Sequence, residues 1–366
     1  MLSLILRING STPDTAPIPE VMMLGKRIRG IMIGIPLLFS ALIVGGCFLG
    51  PPLRKDFQDW KKPEERNNRF SDWKEVFSSS TKLNVTAIHT GYVLTGPSIL
   101  IDAEDPNTPV SEKKEQWVPS LSYLVQHPKF GKFLMDSGVP AVNQEGKCDF
   151  SLIGSFYNIP CKSEKGSDIG SRLTKMNIPN EDILFVIVSH LHWDHIGGME
   201  SLRKRGPIRI LLSKEEAEDA GKPFAIFHGY APKALSIDFE GSVLPDQNYY
   251  EMPILGKVLD LFGDGSVWII PAFGHTKGEI AVLLNTPNEP LLFTFDASHL
   301  KVGFEKTIPP GATVDRKDSI AALRKLNSFS KAFPKIKVIY GHEPTQWEGK
   351  NPISLLAGDS SHNGRR

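Results

Sequence analysis

Cysteine is scarce in this chain. Cys47, Cys148 and Cys161 are the only three in 366 residues, and none shows metal-ligand spacing, so no cysteine-built metal site is offered. A charge of one sign is missing too. The 42 basic and 41 acidic side chains leave a formal net charge of +1, without the basic excess or stripe that nucleic-acid binding needs. The expected substrate is therefore small and neutral or weakly charged. There is no internal repeat, no low-complexity tract and no Gly-x-Ser-x-Gly elbow to mark a serine nucleophile. What the chain does have is 40% hydrophobic residues, enough at this length for one large globular domain plus appendages.

The N-terminal region differs from the rest. Lys26, Arg27 and Arg29 precede an uncharged stretch over residues 30–53 that is rich in Ile, Leu and Val. A positive segment followed by an apolar run is the pattern of an export signal or membrane anchor. The run includes Val44-Gly45-Gly46-Cys47, which is similar to the lipobox of bacterial lipoproteins and makes Cys47 the candidate lipidation site. An uncleaved transmembrane helix is the alternative, since the run approaches the roughly 20 residues needed to span a bilayer. Either device exports the protein and holds it on a membrane, facing the periplasm or cell exterior. Export leaves Cys148 and Cys161 as an even pair, either bridged or as two buried thiols. The expected organisation is a signal or anchor over 1–47, a charged tether over 48–81, the main domain over 82–350 and a tail over 351–366.

From Lys82 onward the pattern is strand-like, over residues 83–88, 92–94, 122–125 and 132–135, the last leading into Asp136-Ser137-Gly138. Helical stretches fall near 170–176, 201–204, 214–220 and 318–329. Four later runs, 183–188, 267–270, 291–295 and 338–340, are apolar enough for strands covered on both faces. Each ends in a short polar segment.

The first of these segments is Ser189-His190-Leu191-His192-Trp193-Asp194-His195-Ile196-Gly197-Gly198. Alternate residues on an extended chain point the same way, so His190 and His192 can grip one ion at the strand end. Asp194 and His195 follow as the chain turns and can face a second ion. Neutral imidazoles and a carboxylate suit zinc, and also iron, manganese or cobalt. A single histidine is usually a surface or core residue, but four ligand-type residues within six positions are not explained that way. The other three runs deliver Gly274-His275-Thr276, Asp296-Ala297-Ser298 and Gly341-His342-Glu343-Pro344. Singly each has a bland reading, because an aspartate after a strand is often just a helix cap. Together they supply enough ligands for two divalent ions.

This pattern, His-x-His-x-Asp-His with Gly-His-Thr, a later Asp and a final Gly-His, resembles the metallo-β-lactamase superfamily over roughly residues 84–347. The resemblance implies an α/β fold, an αββα four-layer sandwich with the site at the edge between two sheets. It also implies that His190, His192 and His275 hold a first ion, that Asp194, His195 and His342 hold a second, and that Asp296 bridges them. Asp136, which matches the family's Asp-x-Gly turn, would orient a ligand imidazole; a plain turn aspartate is the alternative. Within the superfamily, Tyr123-Leu124-Val125-Gln126-His127-Pro128, Gly274-His275-Thr276-Lys277-Gly278 and Phe295-Asp296-Ala297-Ser298 look most like the N-acyl-homoserine lactone lactonases. The implied reaction is hydrolysis of a lactone or related carboxylic ester by water activated between two divalent ions, zinc first, with Asp194 and Asp296 as the catalytic carboxylates. A phosphodiesterase, a glyoxalase II-like thioesterase and an inactive membrane-anchored sensor are the competing readings. Lactonases of this type position substrate with a tyrosine, for which Tyr230, Tyr249 and Tyr250 are the candidates. His89, His127, His228 and His299 are read as non-ligands, with His228 and His299 as candidates to line the pocket.

Overall fold

The computed structural model describes residues 57–61, 70–143, 147–148, 160–222, 225–230 and 235–358. The expected anchor and its Cys47 lie outside these, as do parts of the expected tether and tail. Among the described residues no helix is long and apolar enough to cross a membrane.

Two sheets form the centre of the fold. The larger contains β1 (Gln58–Asp59), β2 (Asn84–Thr95), β3 (Gln116–His127), β4 (Gly131–Met135), β5 (Cys161–Lys162), β6 (Ile183–Ile187), β7 (Arg209–Leu212) and β8 (Glu240–Val243). The smaller contains β9 (Tyr250–Met252), β10 (Gly256–Asp260), β11 (Val267–Pro271), β12 (Ile280–Leu284), β13 (Leu291–Phe295) and β14 (Lys337–Tyr340). A last strand, β15 (Ile353–Ala357), returns to the larger sheet, whose order is β1-β8-β7-β6-β4-β3-β2-β15 with β5 paired to β2. The smaller sheet runs β14-β13-β12-β11-β10-β9. The helices are α1 (Trp73–Ser78), α2 (Pro97–Leu100), α3 (Ile169–Lys175), α4 (Trp193–Ile196), α5 (Met199–Arg203), α6 (Lys214–Ala220), α7 (Lys301–Lys306) and α8 (Arg316–Ala332).

Side-chain alternation along the strands sorts the apolar residues into three layers. Phe185 and Ile187 on β6, Tyr123 and Val125 on β3, Val267 and Ile269 on β11, and Ile280 and Val282 on β12 meet between the sheets. Their neighbours Val186 and Leu124 turn instead to Ile169, Leu173, Met199, Leu202 and Ala217 on the helices of one outer layer. Trp268, Ile270 and Leu283 turn to Trp73, Phe304, Leu323, Leu326 and Phe329 in the other. Apolar side chains on both faces explain why these strands read as nearly continuous apolar runs. The architecture is the αββα sandwich. The sheet ends aim the site: β4 and β6 run parallel, and so do β13 and β14, which brings the C-terminal ends of each pair out at a common edge.

The domain reaches beyond the expected 82–350 at both ends. Trp73 is 1% exposed, donates its indole N–H to the Pro253 carbonyl, and packs edge-on against Phe329. Further out, β1 pairs with β8, and β15, expected as tail, pairs with β2. Six residues of α1 are too few to show a helical period in a charged neighbourhood. Cys148 and Cys161 are bridged, with Cα atoms 5.7 Å apart.

Candidate metal centre

Each ligand-type residue leaves the end of a strand. Asp136 follows β4, and the segment from Ser189 to His195 follows β6. His275 follows β11, Asp296 follows β13 and His342 follows β14. Two backbone features aim the Asp296 carboxylate. Phe295 sits at φ 44°, a left-handed conformation that is strained for a bulky residue and typical of functional turns. Gly341 passes so close that a Cβ there would lie 2.5 Å from the Phe295 carbonyl oxygen and 2.6 Å from Asp296 Oδ1.

The outer nitrogens of the histidines are engaged. His192 Nε2 donates to the His228 carbonyl at 2.8 Å, His275 Nδ1 to the Ala312 carbonyl at 2.7 Å and His342 Nδ1 to the Pro119 carbonyl at 2.8 Å. His195 Nδ1 donates to Asp136 Oδ2 at 2.8 Å, and His190 Nδ1 lies 3.2 Å from Glu279 Oε2. Carbonyl oxygens only accept, so His192, His275 and His342 carry a proton on the outside, as His195 does against the Asp136 carboxylate, and their other nitrogens face inward. The inner atoms crowd together. His275 Nε2 is 3.0 Å from His192 Nδ1. Asp296 Oδ2 lies 3.6 Å from His190 Nε2 and 3.4 Å from His275 Nε2, while Oδ1 lies 3.3 Å from His195 Nε2 and 3.1 Å from His342 Nε2. Asp194 Oδ2 is 3.5 Å from His342 Nε2.

Acceptors that face acceptors at such distances repel unless a cation sits among them. His190 Nε2, His195 Nε2 and Asp296 Oδ1 are also buried without a hydrogen bond, a costly state for polar atoms that have no other use. The donors fall into two groups, His190, His192, His275 and Asp296, and Asp194, His195 and His342, each within 4.8 Å of one another. The residues therefore fit divalent metal ions. Electrostatics divides the rings: against burial, Asp296, Asp136 and Asp194 raise His195, and Asp296 and Asp194 raise His342. Burial, followed by the neighbouring rings, holds His190 and His192 well below the usual imidazole range and so keeps them neutral for ligation. Burial alone would raise Asp296, but the His195, His342 and His299 rings hold its carboxyl well below the usual range.

All seven expected ligands meet at this one place, and Asp136 holds His195 as expected. Its Oδ1 and Oδ2 also accept the Ser189 N–H and hydroxyl, each at 2.8 Å. Tyr230 lies beside His192 but is 2% exposed, with its hydroxyl donated to Asp219 at 3.0 Å. Tyr249 packs against the layer between the sheets, and the Tyr250 ring packs 5.9 Å from Trp268 in an outer layer. His89 stacks near Tyr92, and His127 binds Asp264 and Ser266, both away from the centre.

Three carboxyls behind the centre escaped the sequence reading. Glu279 accepts the Asp296 N–H at 3.0 Å while facing His190; burial, then the Asp296 charge, pushes it well above the usual carboxylate range. Glu216 accepts the N–H of Leu191 at 2.8 Å and of Gly278 at 2.9 Å, tying the first ligand segment to the His275 loop. Burial raises Glu216 to about 7. Asp219 accepts from His228 Nδ1 and Tyr230, fixing the loop whose carbonyl holds His192. A signal existed: Glu216 and Asp219 share a helical face with Ala220, three and four residues apart.

The family model described as the metallo-beta-lactamase superfamily matches residues 116–342. An N-acyl homoserine lactonase of Bacillus sp is 26% identical over 269 residues, covering 70% of this chain and 94% of its own. The N-acyl homoserine lactonase AttM of Agrobacterium fabrum is 26% identical over 246 residues, covering 63% and 84%. Among solved structures, an N-acyl homoserine lactone hydrolase with N-hexanoyl-L-homoserine at its catalytic metal center superposes with a TM-score of 0.58 at 24% identity, covering 74% of this chain and 97% of that one. With its strand-end ligands and its sandwich accounted for together, the chain belongs to the metallo-beta-lactamase superfamily.

Proposed function

We propose that this metal-dependent hydrolase opens a lactone, or cleaves a related carboxylic ester, at a two-ion centre, and that zinc is the ion its nitrogen-rich donor set suits best. Asp296 carries the reading. Its two oxygens face two separate sets of imidazoles, Oδ2 towards His190 and His275 and Oδ1 towards His195 and His342, the arrangement of a carboxylate shared by two ions. The relatives named as N-acyl homoserine lactonases support the choice of bond. Bound divalent ions supply Lewis acidity and lower the pKa of water towards about 7. The protein's share is then positional. His190, His192 and His275 form one side of the centre, and Asp194, His195 and His342 the other. Asp296 stands between the two sets, where it can take a proton from the attacking water and return it to the departing alkoxide.

The test is a panel of lactone, aliphatic ester, thioester and phosphodiester substrates offered to zinc-loaded protein. Lactones and esters should turn over fastest, and His192→Ala should lower kcat/KM by at least about a hundredfold while depleting one ion. Preference for the phosphodiester, or an unimpaired variant, would sink the proposal. We further propose, from residues 26–47 alone, that the enzyme is exported and anchored. Cys47→Ser should release it from the membrane fraction if the anchor is lipid, and leave it there if the anchor is a helix.

A further inference from the structure

His299 obeys the same rule as the expected ligands. It follows Asp296 by three residues, in the turn before α7, and is 3% exposed. Its Nδ1 donates to the Leu100 carbonyl at 2.9 Å. That carbonyl only accepts, so a neutral His299 carries its proton on the outside and turns a bare Nε2 inward. This Nε2 lies 3.0 Å from Asp296 Oδ2, and the ring stands between His275 and His342, with centroids at 5.1 and 5.3 Å. Asp296, His299 and His342 thus form a third group whose donor atoms lie within 4.8 Å of one another.

We propose that His299 is a further metal donor of this centre, giving Nε2 to the ion held by Asp296 and His342. The proposal rests on the two-ion reading and extends it. His342 belongs to two overlapping donor groups, one with Asp194 and His195 and one with Asp296 and His299; His299 Nε2 lies nearest Asp296 Oδ2 and His342 Nε2 nearest Oδ1, so the added donor stands between the two sets of imidazoles that the carboxylate faces.

The experiment follows histidine ring nitrogens by long-range proton–nitrogen correlation in the metal-stripped full chain as zinc is titrated in. His299 is assigned through its contact with Leu100. Its Nε2 resonance should move to the metal-bound position with the second equivalent of zinc. In a chelator competition, His299→Asn should weaken the second zinc about tenfold or more and leave the first within about twofold. If zinc leaves the His299 Nε2 resonance unchanged, or finds it protonated against Asp296 at saturation, the proposal fails whether or not the variant folds. A wild-type chain that takes up fewer than two zinc ions overturns the two-ion reading instead, and is recognised by that count.

Discussion

Asp136 shows how much a single side chain settles. It occupies the left-handed region at φ 57°, which aspartate tolerates better than most residues. Both its oxygens are used, by the Ser189 N–H and hydroxyl and by His195 Nδ1. In Asp136→Asn one amide NH2 must face a donor, so the second ion should bind about 10- to 100-fold more weakly with the fold retained, as read by chelator competition. Gly341 is as constrained. A methyl there meets the Phe295 carbonyl and Asp296 Oδ1, so Gly341→Ala should displace Asp296 and lower metal content, which elemental analysis checks. At this scale the ligands were legible because histidines and aspartates stood directly after apolar runs. His299 was read only as lining the pocket, because one histidine three residues past an aspartate carries no spacing of its own.

Among the elements, α6 is a structural backing plate rather than a solvated acidic helix. Ser213 caps it, accepting the Glu216 N–H and donating to the Gly278 carbonyl at 2.6 Å. Glu216 then holds two ligand-bearing segments from behind, and Asp219 holds the loop whose carbonyl accepts from His192. Glu216→Ala leaves the Leu191 and Gly278 N–H groups buried without acceptors, each worth about 1–3 kcal/mol. Melting temperature should fall, and affinity for the ion on His190, His192 and His275 should fall with it. A retained melting temperature would assign Glu216 no structural part. The inner strands were readable from their apolar runs, and α8 from its spacing of Ala322, Leu323, Leu326 and Phe329 behind the Asp315 cap. The short pieces were not. β1 and α1 owe their existence to partners far along the chain, β8 and the Trp268 to Phe329 surface, and β9 is only three residues long beside its neighbour β10. For α1 the check is Trp73→Ala, expected to destabilise by about 3–5 kcal/mol in a denaturant titration, whereas a dispensable tether would show no change.

Across the whole molecule, the two sheets contribute complementary halves. His190, His192, Asp194 and His195 come from the larger sheet, and His275, Asp296 and His342 from the smaller, so an ion bound by both sets clamps the sandwich at its edge. Binding only to the folded state stabilises it by about 2.7 kcal/mol at a hundredfold excess over Kd. Chelation should therefore lower the melting temperature by several degrees. The sandwich follows from the family motifs once these are seen, but the limits of the domain do not, since its outermost strands are set by pairing rather than by composition. The most direct test of the two-ion hydrolytic centre is to return zinc stepwise to stripped protein while counting bound metal and lactone turnover in the same sample. The account predicts saturation at two ions per chain, with turnover appearing as the second is bound. Saturation at one ion, or lactone hydrolysis by the stripped protein, would contradict it.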